Sequence, residues 1–367
     1  MVGKGKSFLA KSLTTRSIAF GRRVYVPGDP KGEWTAVAQA VGGAAITLGG
    51  GSANRLNPLD PGPRGAGLSE EAWRAEVTRR RRTLLGSLAE SALRRPLVAV
   101  EHTALDAALA HAVSSSTTPT LPAVVDALLD PRVAMAGAST AELARDGRDV
   151  GHALRRLVAG DLAGLFDGPS TVAFDPSLPM VSLDLSGIQG SDELIAMVMT
   201  CASTWMEAAL ADPAAGQRWV VYDEAWRLMR QPALVARMQA QWKLSRGLGI
   251  ANLMIVHRLS DLDAVGDADS QARNLARGLL GDCSTTITYQ QEHSESARTA
   301  TELGLTTVER DQLPDLQQGE GLWRVAGHAY IVRHLATAAE KATFETGVRM
   351  GLEAPKFPGN PTVLAGT

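Results

Sequence analysis

The sequence predicts an α/β protein in which a mostly parallel sheet, covered by helices on both faces, is interrupted by an all-helical insertion. Three observations carry this reading. Short apolar, β-branched runs alternate with helix-length segments near both ends of the chain, the pattern of strands buried under crossover helices. Residues 65–165 are instead rich in Ala, Leu, Arg and Glu at helical spacing, with no convincing strand. A Gly-Lys-Ser triplet, Gly5–Ser7, stands directly before the first helical segment.

The elements follow in order. Lys6–Arg16 reads as a helix, with Phe8, Leu9 and Leu13 at helical spacing. RRVYVP (Arg22–Pro27) reads as a buried strand and runs into DPKGEW (Asp29–Trp34). A helix carrying Val37, Ala38 and Val41 comes next, then a strand-like piece at Ala45–Leu48. Gly49–Gly67, which contains NPLD, is dense in Gly and Pro and reads as loop. The insertion is expected to hold helices at Glu70–Ala92, Ala99–Ala112, Leu121–Leu128, Ala141–Asp146 and Gly151–Ala159. After FDGPS (Phe166–Ser170), strands return at Met180–Ser186, Arg218–Trp226, Ile250–His257 and Ser284–Gln290. Helices are expected at Glu193–Ala211 and from about Pro232 to Arg246. Gly321–Arg333 reads as a hairpin turning at Ala326–Gly327. The resulting division is a core of residues 1–64 and 166–350, an insertion at 65–165 and an irregular Pro/Gly-rich tail at 351–367.

Composition narrows the class. The chain is 45% hydrophobic and 21% charged with a net charge of −2, so nothing in the balance calls for nucleic acid or an anionic membrane. Cys201 and Cys283 are the only cysteines, too few for a disulfide framework, which points to a reducing, cytoplasmic setting. The longest apolar runs, such as Gly249–Val256, fall far short of the ~20 residues that span a bilayer.

Two motifs carry chemistry. Gly5, Lys6 and Ser7 fill the last three positions of the phosphate loop G-x-x-x-x-G-K-[ST], whose first Gly would lie one residue before Met1. In such a loop, backbone N–H groups curl around the β-phosphate at a helix N-terminus. Gly3 and Gly5 permit that curl, and Gly3, Lys4, Gly5, Lys6, Ser7 and Phe8 form the candidate ATP cradle. Lys6 would neutralise the β- and γ-phosphates and Ser7 would ligate Mg²⁺. A bare Gly-Lys-Ser also occurs by chance. The second motif, WVVYDEAW, places Asp223 and Glu224 just after an apolar strand, at the carboxyl end where ligands of open α/β sheets bind. There Asp223 would hold the Mg²⁺ shell and Glu224 would polarise the attacking water. The plain alternative is a strand ending in a solvated charged turn.

DPKGEW, NPLD, FDGPS, LDLS and YDEAWRLM, in that order, resemble the ATPase domain of the TraC-like traffic ATPases of type IV secretion and conjugative transfer. These belong to the HerA–FtsK group of P-loop motors. The resemblance runs from Gly3 to about Arg349 and implies a RecA-like P-loop core with an all-helical insertion. It implies ATP and Mg²⁺ as cofactors, hexamers or dimers, other subunits of a secretion complex as partners, and work at the inner face of the cytoplasmic membrane. It places Glu33, the acid of DPKGE, near the γ-phosphate. It places Gln290, or Gln291 with a one-residue shift, as a γ-phosphate sensor. Arg277 stands where an arginine reaches into a neighbour's site, with Arg273 one turn earlier as its competitor. The family carries an amino-terminal domain and an apolar strand ahead of the loop, so a truncated motor is the expectation for this sequence.

Other signals are weaker. TRRRRTLL (Thr78–Leu85) could touch DNA but reads as the wet face of a helix, with Glu70, Glu71 and Glu76 nearby. His257 ends an apolar strand beside the site, and Asp184 is read as a buttress for a neighbouring loop. Trp205, Trp219 and Trp242 read as core or interface, and no Cys/His spacing suggests zinc. Alternatives to a secretion motor are a DNA-pumping coupling protein of the same superfamily and a catalytically inactive structural fragment. With the loop incomplete, the chain is expected to bind nucleotide weakly, and ATP turnover at the family's full rate in the purified chain would overturn that expectation.

Overall fold

The computed structural model describes residues 5–344, other than 63, 65, 66, 136, 189, 211–215, 230, 258 and 260–270. The first elements are α1 (Lys6–Ile18), β1 (Arg23–Asp29), α2 (Thr35–Ala40) and β2 (Ala44–Gly49). Four helices then run without a strand: α3 (Glu70–Leu93), α4 (Ala99–Ser115), α5 (Leu121–Leu129) and α6 (Thr140–Arg155). β3 (Met180–Gly187), α7 (Asp192–Leu210), β4 (Arg218–Tyr222), α8 (Trp226–Met229), α9 (Pro232–Ser245) and β5 (Ile250–Met254) return to the sheet. α10 (Gln271–Gly281), β6 (Thr285–Tyr289), α11 (His293–Leu303), α12 (Thr307–Gln312), β7 (Glu320–Val325), β8 (His328–Arg333) and α13 (Ala338–Phe344) close the chain.

β2-β3-β1-β4-β5 form one sheet, parallel throughout. Strand alternation sends side chains to two opposed cores. Val24 and Val26 of β1 and Val221 of β4 join Ala10 of α1 and Val37 of α2 on one face. Tyr25, Val220 and Tyr222 join Met197 and Cys201 of α7 on the other. Helices therefore cover both faces, as the near-continuous apolar strands require.

The strand at Ser284–Gln290 belongs elsewhere. β6 pairs antiparallel with β7, and β7 with β8, in a separate three-stranded sheet. The β7–β8 hairpin turns at Ala326 and Gly327, both in the left-handed region with φ of 48° and 83°, which suits a two-residue turn. Among the described residues β5 pairs only with β4, and β6 only with β7. α1 begins at the carboxyl ends of both strands: Lys6 Nζ reaches the His257 carbonyl, and Gly5 lies against Tyr289.

The insertion departs from expectation at one point. Ala141–Asp146 and Gly151–Ala159 are not two helices, because α6 runs unbroken through Gly147 and Gly151. A Cβ at Gly147 would stand 3.0 Å from Leu128 Cδ2 and 3.1 Å from Ala104 Cβ, and one at Gly151 2.7 Å from Leu129 Cδ2. The glycines allow α6 to press against α4 and α5; they do not end it. Ser139 and Glu142 close a capping box at its start.

NPLD and FDGPS clasp each other where the helical block meets the sheet. The Ser170 hydroxyl donates to Asp60 Oδ2 at 2.6 Å and accepts from the Asn57 amide at 2.8 Å and from Trp205 Nε1 at 3.1 Å. Asn57 Nδ2 donates to Asp60 Oδ1 and to the Pro119 carbonyl, and its Oδ1 accepts from the Leu59 amide. The basic run serves the same joint. Arg81 is buried and donates to the Leu59 carbonyl at 2.7 Å, while Arg80 reaches the carbonyls of Asp60 and Pro61. Reading the run as a wet face holds only for its outer members, such as Arg79, paired with Glu76. Asn57→Ala leaves buried backbone groups unpaired and is expected to cost about 3 kcal/mol. Arg79→Ala should stay within about 0.5 kcal/mol. Urea unfolding midpoints of the two variants check the contrast.

Candidate functional site

Gly5 sets the first corner of the site. Its φ of 101° turns the chain into α1, a conformation that L side chains rarely adopt, and no side chain caps the helix. A helix start led by a glycine, with no capping side chain at the N-cap, is the kind of position that takes an anion. Lys6 Nζ donates to the His257 carbonyl at 2.8 Å. Ser7 is half-buried in the same turn. The Phe8 side chain turns away and packs against His334 and Phe344, with ring centroids 5.6 and 5.4 Å apart. Gly3 and Lys4 lie outside the described residues.

The second corner is the end of β4. Asp223, 6% exposed, accepts from Trp34 Nε1 at 3.0 Å and from the Glu224 amide at 2.9 Å. Burial raises its pKa against those two bonds. Glu224 has φ of 54°, a left-handed conformation for a residue with a side chain, which costs of order 1 kcal/mol. Its Oε1 meets Lys31 Nζ and, at 2.8 Å, His257 Nε2, and its Oε2 accepts from Trp226 Nε1 at 2.5 Å. Burial pushes this carboxyl up, but the bonds from His257, Lys31 and Trp226 prevail and hold it at about 2. Lys6, His257, Glu224 and Lys31 thus form one chain of contacts across the carboxyl ends of β4 and β5.

The loop after β1 supplies the third corner. Asp29 is buried and accepts from the Lys31 amide at 3.2 Å and the Trp34 amide at 2.7 Å. Burial lifts it to about 6, against backbone bonds from Trp34 and Glu33 and with help from Asp223 and Asp184 nearby. Asp184 buttresses this loop, accepting from Thr35 Oγ1 at 2.9 Å and standing against Gly32.

Three expected site residues are engaged elsewhere. Glu33 pairs with Lys11, a 1% exposed lysine of α1, at 3.3 Å. Gln290 follows β6, and its Nε2 donates to the Pro314 carbonyl at 2.9 Å. Arg277 on α10 forms a two-point pair with Glu302 of α11 at 2.8 and 2.7 Å, and Arg273 stands 3.8 Å from the same carboxylate. The sequence reading passed over Lys31, Lys11, Trp34 and Trp226. Only Trp226 carried a local signal, two residues from the Glu224 it contacts; Lys31 and Trp34 meet acids of the other motif, which nothing in their own motif announces. Of the other tryptophans, Trp205 bonds Ser170 and Trp242 packs on Tyr222.

A parallel sheet with helices on both faces, and a glycine-led helix start at the carboxyl ends of its strands, give the RecA-like class of fold. No protein-family model matches the chain, and no curated protein does. Among solved structures it is similar to VirB4 of Thermoanaerobacter pseudethanolicus, with a TM-score of 0.71 and 22% identity over 93% of this chain and 89% of that one. It is also similar to the plasmid coupling protein TrwB in complex with the non-hydrolysable GTP analogue GDPNP, at a TM-score of 0.59 and 13% identity, covering 90% and 82%. The bacterial conjugative coupling protein TrwBdeltaN70 in complex with sulphate gives 0.57 and 12% over the same shares. At these identities what is shared is the fold.

The raised Asp29 yields a pH signature. Its folded pKa of about 6 lies above the ordinary 3.8. Stability from this group is therefore full below about pH 4 and is lost as pH rises through about 6. Asp29→Asn should flatten that part of the stability curve relative to the parent, in urea midpoints taken from pH 4 to 7.

Proposed function

We propose that this chain is an ATP-hydrolysing motor domain that energises a type IV secretion or conjugative transfer apparatus. The observation that carries the reading is the contact chain from Lys6 through His257 to Glu224, beside Asp223, on a fold shared with VirB4 and TrwB. Lys6 would neutralise the β- and γ-phosphates at the amide-rich start of α1. Glu224 would orient and polarise the attacking water. Glu33, Gln290 and Arg277 keep roles only if nucleotide or a neighbouring subunit draws them from Lys11, Pro314 and Glu302.

Mg²⁺ suits this donor set in one way. Among the described residues no three His, Cys, Asp or Glu side chains cluster into a metal cage. Asp223, buried and hydrogen-bonded among the described residues by neutral N–H donors, and the Ser7 hydroxyl are oxygen ligands that fit Mg²⁺ together with phosphates, as in other phosphate-transfer sites. The ion would supply charge neutralisation for the phosphates.

In this reading residues 1–64 and 166–350 form the motor core and 65–165 a helical insertion that moves with the nucleotide cycle. The chain assembles as a homo-oligomer, a hexamer in the simplest case, with Arg277 offered to its neighbour. It sits on the cytoplasmic face of the membrane through other subunits. No helix among the described residues is long and apolar enough to cross a membrane. The likeness to TrwB favours a second reading, a DNA-pumping coupling protein. Against it stands the basic run, whose Arg80 and Arg81 are spent on loop carbonyls. ATP turnover without DNA should be present and fall at least ~100-fold in Lys6→Ala and in Glu224→Gln. Turnover unchanged by both substitutions would sink the motor reading, and strong stimulation by DNA would move it to the pump.

A further inference from the structure

Glu224 is overcommitted. A base that is to orient water needs an open carboxylate oxygen, yet Oε1 faces two donors, Lys31 and His257, and Oε2 is taken by Trp226. The three are not equally fixed. Trp226 sits two residues along the same turn. His257 is tied into the site by its own carbonyl, which accepts from Lys6. Lys31 differs: its side chain is 49% exposed, so its ammonium already stands partly in water.

The backbone beneath it is nonetheless rigid. The Lys31 amide is bonded to Asp29 Oδ1, the Gly32 amide to the Asp29 carbonyl, and Gly32 rests against Asp184. Lys31 is thus a half-exposed tip on a hydrogen-bonded base. The neighbouring Lys11–Glu33 pair is the opposite case, since Lys11 is 1% exposed and has no room to leave. A half-exposed ammonium–carboxylate pair is weak and exchanges readily for a more highly charged anion.

We propose that Lys31 is a positioning residue that reads the terminal phosphate of the nucleotide, an inference that rests on the motor reading. Without a triphosphate its ammonium pairs with Glu224 and fills the oxygen that water needs. With a triphosphate it moves to the γ-phosphate. Glu224 is then left to His257 and Trp226, with one lone pair open toward the water. A diphosphate offers no such anion, and Glu224 stays closed. Lys31 therefore discriminates between nucleotide states and blocks Glu224 when the phosphate to be attacked is missing.

The two anions compete for one ammonium, and this gives the test a sign that a structural role would not produce. In the full chain with Mg²⁺, titration calorimetry compares a non-hydrolysable ATP analogue with ADP. Glu224→Gln should tighten the analogue about 5–10-fold, by releasing Lys31, and leave ADP unchanged. Lys31→Met should weaken the analogue by a similar factor, again without effect on ADP, whose binding also reports that the variant is folded. In the Lys31→Met background, Glu224→Gln should no longer tighten the analogue. The inference is overturned if Lys31→Met weakens both nucleotides alike, or if the Glu224→Gln gain survives without Lys31. If the parent chain binds neither nucleotide, the motor reading falls and this inference with it. If ADP binds and only the Lys31 pattern fails, the motor reading stands.

Discussion

The burial of two adjacent carboxylates at the end of β4 is the constraint around which the core is arranged. Asp223 and Glu224 are 6% and 4% exposed, and a buried charge without partners is costly. Side chains from three segments supply donors. Trp34 and Lys31 come from the loop after β1, Trp226 from the start of α8 and His257 from the residues after β5. Glu224 adopts φ of 54° at the point where these donors converge. The strain is local, and three separate segments, the loop after β1, the start of α8 and the residues after β5, hold it in place.

The same logic explains why two unrelated-looking motifs accompany the site. NPLD and FDGPS stand at the two places where the chain leaves the sheet for the helical block and returns. Ser170 joins them by bonding Asp60, Asn57 and Trp205 at once. Arg81, on α3, locks the Leu59 carbonyl into the same joint. The helical block and the sheet are thereby joined through a small hydrogen-bonded hub, to which Trp205 on α7 also bonds.

Parts of this were legible residue by residue. Lys6, Asp223 and Glu224 stand out as candidates because a phosphate site would need those types beside a glycine turn and at a strand end. Lys31 does not, because lysines crowd most surfaces and nothing local says that this one meets Glu224. The turn at Ala326–Gly327 was readable, since left-handed residues make tight hairpins. The continuity of α6 was not. Glycines inside a helix look like breaks until Leu128, Leu129 and Ala104 are seen pressing against them. The Arg80–Arg81 pair misled for a related reason: a basic run looks solvated until carbonyls of a distant loop are found to absorb it.

The amino-acid sequence by itself determined the places of the sheet strands and of most long helices, and where the candidate acids fall. Periodicity, turn chemistry and strand ends are local properties, carried by neighbours along the chain. Only the tertiary structure decided that β6 pairs with β7 and not with β5, that Arg277 binds Glu302, and that Glu33 belongs to Lys11 while Glu224 belongs to Lys31 and His257. Each of those charges had several opposite charges available in the sequence. The order of strands in the sheet chose among them, because it sets which loop ends meet, and electrostatic pairing at hydrogen-bond range acts only between groups that the fold has brought together.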